Sequence, residues 1–337
     1  MTLSKAVIFG CNGASLMPDE FVFFSKIRPI GFILFSRNCI DPEQLKKLIK
    51  DLRKSINNDH APILIDQEGG RVVRLLKPHW REPPAATLFA DLAIKNIDLA
   101  CEALNLNMRL VGQELRSLGV NVNCLPVLDI PFDGADPIIS DRAFGVDPEM
   151  RSILGRVACD ALLMEGVLPV IKHIPGHGRA NVDSHKALPT VRTDWAELSK
   201  IDFSPFKLLA DMPIAMTAHV IYSAIDPKNP ATTSRKVILE IIRKEIGFNG
   251  LLISDDLSME ALDGDFSYRT QAALAAGCDL VLHCNGDMSE MREISNVVSD
   301  LSVKSADRLE RALVQINRFE TLDRQVALER LTELGIN

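Results

Sequence analysis

Residues 31–65, GFILFSRNCIDPEQLKKLIKDLRKSINNDHAPILI, contain two short apolar runs separated by an amphipathic segment. The first run covers residues 31–35 and the second covers residues 63–65. Neither run alternates between apolar and polar residues, which is typical of strands buried on both faces of a parallel sheet. The stretch therefore predicts one strand–helix–strand unit of an α/β fold.

The segment between the two runs carries the signals of a helix start. Asp41 is a suitable N-cap, Pro42 fits the first helical position, and Gln44 completes a capping box. Apolar residues then recur at helical spacing along one face, at Leu45, Leu48, Ile49, Leu52 and Ile56. Asp147 and Pro148 form a second start of the same kind. Further helices are predicted over residues 99–118, 196–210, 235–246 and 306–319.

Continuous apolar runs recur eight times along the chain. They cover residues 6–9, 31–35, 63–65, 120–128, 168–171, 214–217, 251–254 and 280–283. Eight strands that alternate with helices through right-handed crossovers close most readily into a single (β/α)8 TIM barrel. An open, doubly wound sheet uses the same local units, but the strand count favours the barrel. Because no Gly–Ser linker or break in composition divides the chain, residues 1–337 are predicted to form one domain.

The composition is that of a globular protein, and it disfavours several classes of partner. The 337 residues are 47% hydrophobic and 25% charged, with a formal net charge of −7. A negative charge disfavours nucleic acid and anionic membranes, so neither partner is expected. Seven cysteines without a CxxC pair indicate reduced thiols. Neither a signal-like N-terminus nor an apolar run of membrane length is found, and we expect a soluble cytoplasmic protein.

Polar residues directly follow five of the predicted strands. They are Asp66, Asp129, Lys172 with His173, His219 and Asp255. In a TIM barrel the carboxyl ends of the strands meet at one face, and this face carries the active site. Long loops fall on the same side of the strands, over residues 67–95, 130–146, 174–194 and 220–234. We therefore predict that one site forms at this face.

Each of these residues also has a purely structural interpretation. Asp255 could cap a short helix that begins two residues later, and for Asp129 the favoured interpretation is that it organises a turn. Other candidates could be core histidines or surface ion-pair partners, namely His219, His283, Arg74 and Arg142. It is the convergence of several polar residues on one face that favours a functional site.

Residues 172–178, KHIPGHG, hold two histidines four positions apart, a spacing that binds zinc when it lies on a helix. Pro175 and two glycines prevent such a helix, and no Cys or Glu stands at ligand spacing nearby. Neither a metal nor another cofactor is therefore expected. We predict a rigid, extended loop that leaves the strand, with Lys172 and His173 facing inward as donors to substrate hydroxyl or carbonyl groups.

The triplet Asp183-Ser184-His185 lies a few residues further along. An Asp two residues before a His in a turn can accept a hydrogen bond from one ring nitrogen. The other nitrogen is then free to exchange a proton with a substrate. The structural alternative is a solvated loop histidine.

Five short motifs follow one another along the chain. They are DQEGGRV at 66–72, DRAFG at 141–145, KHIPGHG at 172–178, DSH at 183–185 and SDDLSM at 254–259. In order and spacing they resemble the β-N-acetylhexosaminidases of glycoside hydrolase family 3. The resemblance covers about residues 31–283, and it is closest to the single-domain bacterial enzymes of peptidoglycan recycling.

This resemblance implies a retaining exo-β-N-acetylglucosaminidase with Asp255 as the nucleophile of a covalent glycosyl-enzyme. It also implies that His185 replaces the usual carboxylic acid/base and that Asp183 orients it. By the residue-by-residue match, five residues would hold the N-acetylglucosamine unit: Asp66, Arg74, Arg142, Lys172 and His173. The implied substrates are N-acetylglucosaminyl-anhydromuramoyl fragments, cleaved in the cytoplasm by a monomer.

The chain departs from the family pattern at three places. Ile174 stands where Phe is usual, Arg179-Ala180 stands where many members have Asp-Thr, and Phe9-Gly10 stands where an Asp is common. The second departure touches the loop whose motion would bring His185 inward.

Two other functions stay open on the sequence. One is an N-acetylglucosaminide phosphorylase, in which phosphate replaces water in resolving the same covalent intermediate. The other is a sugar-binding barrel without catalytic activity. A metal-dependent barrel hydrolase would differ from all of these by losing activity with a chelator.

Overall fold

The computed structural model describes residues 4–317 and 319–336. Its ten strands are β1 (Lys5–Gly10), β2 (Pro29–Leu34), β3 (Ile63–Ile65), β4 (Val122–Asn123), β5 (Leu168–Ile174), β6 (Thr190–Val191), β7 (Ile214–Thr217), β8 (Ile221–Tyr222), β9 (Leu251–Asp256) and β10 (Leu280–His283). Eight of them form a closed barrel in the order β1-β10-β9-β7-β5-β4-β3-β2, while β6 and β8 pair separately. All barrel pairings are parallel. The predicted (β/α)8 TIM barrel is confirmed.

Helices cover the outside of the barrel. They are α1 (Pro18–Ile27), α2 (Pro42–Ser55), α3 (Ala86–Lys95), α4 (Ile97–Leu118), α5 (Pro148–Met164), α6 (Trp195–Lys200), α7 (Ser204–Leu208), α8 (Phe266–Ala276), α9 (Met288–Val297), α10 (Val303–Leu313) and α11 (Arg324–Glu333). A π-helical segment covers Val237–Glu245. Within the described ranges, no helix has the length and hydropathy needed to cross a bilayer.

Two strand predictions need correction, and both concern the site end of the barrel. The strand predicted over residues 120–128 shrinks to β4: Leu125 N donates back to the carbonyl of Asn123 (2.8 Å), and Pro126 has no N–H for a ladder hydrogen bond. The chain beyond β4 still follows β5, since Leu128 N donates to the carbonyl of Lys172 (2.7 Å). Strand β5 is longer than predicted and includes Lys172 and His173, so these residues lie in the barrel wall and not in a loop.

The predicted helix over residues 196–210 is wrong, because two short helices, α6 and α7, replace it. Pro205 cannot supply the N–H that a continuous helix needs. The helix predicted over 306–319 is α10, which starts earlier and ends at Leu313; a 3-10 turn follows, and residue 318 lies outside the described residues. The loop predicted over 67–95 contains α3.

The start of α2 confirms one half of the predicted capping box. Asp41 caps the helix by accepting from the backbone N–H groups of Glu43 and Gln44. The side chain of Gln44 does not return to Asp41 N, because its Oε1 accepts from Ile40 N (2.8 Å) and its amide donates to the carbonyl of Asn38 (3.0 Å). Gln44 therefore ties the preceding loop to the helix.

Candidate active site

A cavity of about 220 Å3 lies at the carboxyl ends of the barrel strands. Seven of the eight predicted site residues line it: Asp66, Arg74, Arg142, Lys172, His173, His185 and Asp255. The eighth, Asp183, borders an adjacent depression. A larger groove of about 540 Å3 lies near the start of β4 and contains none of the predicted residues. Since TIM-barrel enzymes act at the carboxyl ends of their strands, we assign the site to the smaller cavity.

A network of alternating charges forms one wall of the cavity. Asp66 accepts from Arg74 (3.0 Å) and from Nζ of Lys172 (2.8 Å). Lys172 also pairs with Glu68 (2.6 Å), which in turn accepts two hydrogen bonds of 2.8 Å from Arg142. The side chain of Arg142 is only 9% exposed. Arg74 and Arg142 are thus parts of the cavity wall, and the surface ion-pair interpretation is wrong for both.

These contacts keep the wall ionised. Burial raises the pKa of Asp66, but the charges of Lys172 and Arg74 outweigh it and hold that pKa well below its usual range. Burial also raises the pKa of Glu68, but the charges of Arg142 and Lys172 outweigh this effect and lower the pKa to about 2. Burial lowers the pKa of Lys172, whereas Asp66 and Glu68 raise it above its ordinary value. Every member is therefore charged at neutral pH, and the wall offers both acceptors and donors to a sugar.

Glu68 is a site residue that the sequence-based assignment missed. It lies in the DQEGGRV motif, two positions after Asp66, and both carboxylates line the cavity. A second carboxylate directly after a strand end was the available signal.

His173 connects this wall with the opposite side of the cavity. Its Nδ1 lies 2.6 Å from Oδ2 of Asp129, and its Nε2 lies 4.0 Å from Oδ2 of Asp255. Asp129 also accepts from the backbone N–H of His173 and of His177. The expectation that Asp129 organises its own turn is wrong for its side chain, because these partners lie more than forty residues further along the chain.

Asp255 lies at the end of β9, on the floor of the cavity. Its side chain is 16% exposed. Burial raises its pKa, but the charges of His173 and His219 and the hydrogen bond from Asp256 N bring the net pKa below the ordinary value. An ionised carboxylate thus faces the cavity at neutral pH.

The helix-cap alternative for Asp255 does not hold, because residues 257–262 form turns and not a helix, and the neighbouring Asp256 is the residue that holds these turns. Asp256 accepts from Ser258 N (3.1 Å), from Ser258 Oγ (2.5 Å) and from Cys284 N (3.1 Å). The backbone N–H of Asp256 donates to Asp255 (2.8 Å). One aspartate of the pair therefore organises the turn while the other stays available in the cavity.

Two further histidines, His219 and His283, are structural, in agreement with their interpretation as core histidines. His219 is buried, with Nδ1 2.7 Å from Oγ1 of Thr232 and Nε2 3.0 Å from the carbonyl oxygen of Asp256. His283 is buried against aromatic rings, and its Nε2 lies 2.6 Å from Glu290. Burial lowers the pKa of His219.

Asp183 and His185 form a close pair at the mouth of the cavity. One oxygen of Asp183 lies 2.8 Å from Nδ1 of His185 and also accepts from the backbone N–H of His185 (2.9 Å). Burial raises the pKa of Asp183, but these two hydrogen bonds lower it more, so the carboxylate is ionised. The side chain of His185 is 61% exposed, and among the described residues Nε2 has no hydrogen-bond partner. That nitrogen is free to meet a ligand.

Ser184, between these two residues, attaches their turn to the barrel. Its side chain is buried, its Oγ lies 3.0 Å from Nε2 of His177, and its carbonyl accepts from Ala261 N (3.2 Å). His177 is itself buried in the segment directly after β5, where a Cβ on the following Gly178 would lie 1.8 Å from the carbonyl oxygen of Ile130. Neither His177 nor Ser184 was predicted as a site residue, although His177 lies in the KHIPGHG motif and Ser184 in the DSH motif.

The three departures from the family pattern have structural counterparts. Ile174 is fully buried in β5 and keeps an apolar wall. Arg179 bonds to both oxygens of Asp202 (3.1 and 2.9 Å), pairs with Glu197 (2.7 Å), and stacks 3.7 Å over the ring of Phe132. This arginine fixes the start of the loop that carries His185. A Cβ at Gly10 would lie 2.2 Å from the carbonyl oxygen of Cys284, so no side chain fits there without a shift.

Residues 26–319 match the N-terminal domain of glycosyl hydrolase family 3. The chain belongs to this family. It is 36% identical over 302 residues to a β-hexosaminidase of Nitrosomonas eutropha, covering 88% of this chain and 86% of that protein. It is 40% identical over 285 residues to one of Alkalilimnicola ehrlichii, covering 83% and 80%.

Solved structures of family 3 members agree with this assignment. NagZ from Neisseria gonorrhoeae in complex with N-trifluoroacetyl-D-glucosamine has a TM-score of 0.87 at 28% identity, covering 99% of this chain and 98% of that one. A family 3 β-N-acetylglucosaminidase from Paenibacillus sp. has a TM-score of 0.80 at 30% identity, covering 98% and 60%.

This family 3 member is therefore a glycoside hydrolase of the β-N-acetylhexosaminidase type. Of the functions left open by the sequence, the non-catalytic barrel and the phosphorylase are disfavoured by this assignment.

Proposed function

We propose that this hydrolase is a retaining exo-β-N-acetylglucosaminidase that removes N-acetylglucosamine from anhydromuramoyl fragments of the cell wall. One observation carries the proposal: the cavity holds an ionised carboxylate, Asp255, on its floor and a hydrogen-bonded pair, His185 with Asp183, at its mouth. A small cavity with a charged floor suits one terminal sugar and thus an exo mode of action.

In the first step, a carboxylate oxygen of Asp255 attacks the anomeric carbon of the sugar. The bond from that carbon to the aglycone oxygen breaks, and this oxygen takes a proton from Nε2 of His185. In the second step, water gives a proton back to His185 and attacks the same carbon, which releases Asp255. Two inversions retain the β configuration.

The pair at the mouth is suited to both proton transfers. Because Asp183 is ionised, it can only accept, so Nδ1 of His185 carries a hydrogen and Nε2 is the nitrogen that exchanges protons. To donate from Nε2 while Nδ1 keeps its hydrogen, His185 enters the first step as an imidazolium and leaves it as a neutral imidazole, so in neither form does it add a negative charge beside Asp255. The site can therefore admit a leaving group that is itself acidic, such as a muramoyl carboxylate.

The charged wall would hold the sugar. The carboxylate of Asp66 can accept from sugar hydroxyl groups while Arg74 and Lys172 keep it ionised. Arg142, Lys172 and Nε2 of His173 complete the set of polar groups around the ring. Their number and direction favour a single sugar orientation over the nucleophile.

We also propose that residues 1–337 act as one domain, that the enzyme is a monomer, and that it acts in the cytoplasm. All seven cysteines are free, which is typical of a reducing compartment.

Trapping of the intermediate tests the assignment of the nucleophile. The enzyme is incubated with a 2-deoxy-2-fluoro glycoside bearing a good leaving group, digested, and mapped by mass spectrometry. We expect the sugar on Asp255. Attachment to any other residue, or release of free sugar with inverted configuration as followed by NMR, would overturn the mechanism.

A second assay tests the substrate. Purified N-acetylglucosaminyl-anhydromuramic acid and chitobiose are compared by kcat/KM, and we expect the anhydromuramoyl compound to be preferred. Equal or lower activity on it would contradict the proposed substrate class and leave the nucleophile assignment intact. Adding phosphate to either reaction should not produce a sugar phosphate.

A further inference from the structure

Asp129 is a buried carboxylate just behind the cavity. It is fully buried and does not line the cavity, so it cannot touch a bound sugar. Four hydrogen bonds converge on its two oxygens, and all come from the end of β5 and the segment directly after it. They come from His173 Nδ1 (2.6 Å), from His173 N to each oxygen (3.1 and 3.2 Å), and from His177 N (2.6 Å).

The charge of Asp129 decides where the proton on His173 lies. Burial raises the pKa of Asp129, but its interactions with His173 and His177 outweigh this and bring the pKa to about 2. An ionised carboxylate has no hydrogen to donate, so Nδ1 of His173 must be the donor. Only Nε2 remains for the cavity, and it lies 4.0 Å from Oδ2 of Asp255.

A buried cation lies behind this carboxylate. Arg151, on α5, is fully buried and donates to the main-chain oxygen of Asp129. Its Nε and Nη2 have no hydrogen-bond partner within the described part of the chain. Burial lowers the pKa of Arg151 to about 10, and the negative charge of Asp129 opposes part of this lowering. Such an arrangement balances the buried negative charge without competing for its oxygens.

We propose that Asp129 is a positioning residue for the hydrolysis reaction and acts through His173. With Nδ1 and the backbone N–H both held by one carboxylate, the imidazole ring cannot rotate away or present its other nitrogen. Nε2 is thereby directed at the sugar and at Asp255. This inference rests on the proposed role of Asp255, while its spectroscopic test does not.

The Asp129→Asn variant tests this with little change in volume. An amide has one acceptor oxygen and an NH2 group, so one of the N–H donors of β5 must face another donor. We expect kcat/KM to fall by about ten- to a hundredfold, the range seen when the partner that orients a functional histidine is lost. In a His173→Gln background, Asp129→Asn should lower kcat/KM by less than about threefold, because the imidazole through which Asp129 acts is already absent.

Asp279→Asn is the matched control. Asp279 is also a buried carboxylate that accepts several hydrogen bonds, from Leu252 N, Ser305 and Arg308, but it lies at the opposite end of the barrel. Asp279→Asn should lower the melting temperature and leave kcat/KM per folded molecule unchanged. An equal loss for Asp129→Asn in both backgrounds, or no loss at all, would overturn the positioning role. If the wild-type enzyme were inactive, the proposed function would fail instead.

Spectroscopy of the wild-type protein gives a result that does not depend on whether the variants fold. With 15N-labelled histidine, the Nδ1 proton of His173 should resonate well downfield of the backbone amides, as protons shared with a carboxylate do. The signal should vanish in His173→Gln and persist in Asp279→Asn. Absence of this signal in the wild-type protein, or a proton-free Nδ1, would overturn the inference.

Discussion

The hydroxyl oxygen of Ser184 lies 3.0 Å from Nε2 of the buried His177. This contact joins the exposed turn that carries Asp183 and His185 to the segment directly after β5, the strand that supplies Lys172 and His173 to the cavity wall. The Asp183–His185 pair and the charged wall are thus linked through a hydrogen bond between two buried side chains. The position of the turn should therefore depend on it.

Ser184→Ala removes this hydrogen bond and keeps the side chains of Asp183 and His185 chemically unchanged. We expect kcat/KM to fall about fivefold for an alkyl N-acetylglucosaminide, whose departing oxygen needs a proton, and much less for a dinitrophenyl glycoside. Steady-state kinetics on the two substrates measure the difference. Equal losses on both would show that the contact is not needed for proton transfer. Ser223→Ala serves as a control, since its Oγ donates to the carbonyl of Val191 away from the cavity.

His177 predicts a pH dependence of stability. Burial, then the charge of His173, lowers its pKa from 6.5 to about 4. Between these values the unfolded chain binds more protons than the folded one, so the free energy of unfolding falls as the pH drops from 6.5 toward 4. The loss from this group is on the order of 3 kcal/mol. Urea unfolding at several pH values should show a shallower decline for His177→Gln, and an unchanged slope would contradict the prediction.

Asp255→Ala should reduce turnover by about a thousandfold or more, because it removes the proposed nucleophile. The fold should persist, because within the described structure the side chain of Asp255 accepts only the hydrogen bond from Asp256 N. Kinetics and thermal melting check both statements. Asp256→Ala is the informative comparison, because it should destabilise the turn after β9 through loss of the hydrogen bonds from Ser258 and Cys284.

His185→Ala should slow the first step strongly for poor leaving groups and weakly for good ones, because only the former need a proton. The second step should slow for every substrate, so the glycosyl-enzyme should accumulate when the leaving group is good. Stopped-flow measurement of the burst of released phenol tests this. A similar factor on both classes of leaving group, without a burst, would count against the acid/base role.

Asp183→Ala should give the same pattern as His185→Ala in a milder form. Without the carboxylate, nothing fixes which nitrogen of His185 carries the hydrogen, but the imidazole is still present. We expect a loss of about tenfold in kcat/KM for poor leaving groups. The double variant should be no slower than His185→Ala alone, and additive losses would show that the two residues act independently.

The sequence was most informative where a polar residue lies directly at the end of an apolar strand. Asp66, Lys172 and Asp255 each follow or end a continuous apolar run, and this pattern places them at the carboxyl ends of barrel strands. It was least informative where partners come from distant strands. Asp129 looked like a turn former because its neighbours are Ile130 and Pro131, yet its carboxylate accepts four hydrogen bonds from the distant His173 and His177.

By itself, the sequence determined the eight-stranded barrel, the face that carries the cavity and the group of polar residues on it. Apolar periodicity and strand-end position are local properties, so they can be recognised without coordinates. Only the tertiary structure decided which polar group pairs with which partner: Glu68 with Arg142, Asp129 with His173, Asp256 with Cys284, and Ser184 with His177. These pairings depend on distances of a few ångströms between side chains that are apart in the sequence, and the closure of the barrel together with the packing of its loops sets such distances.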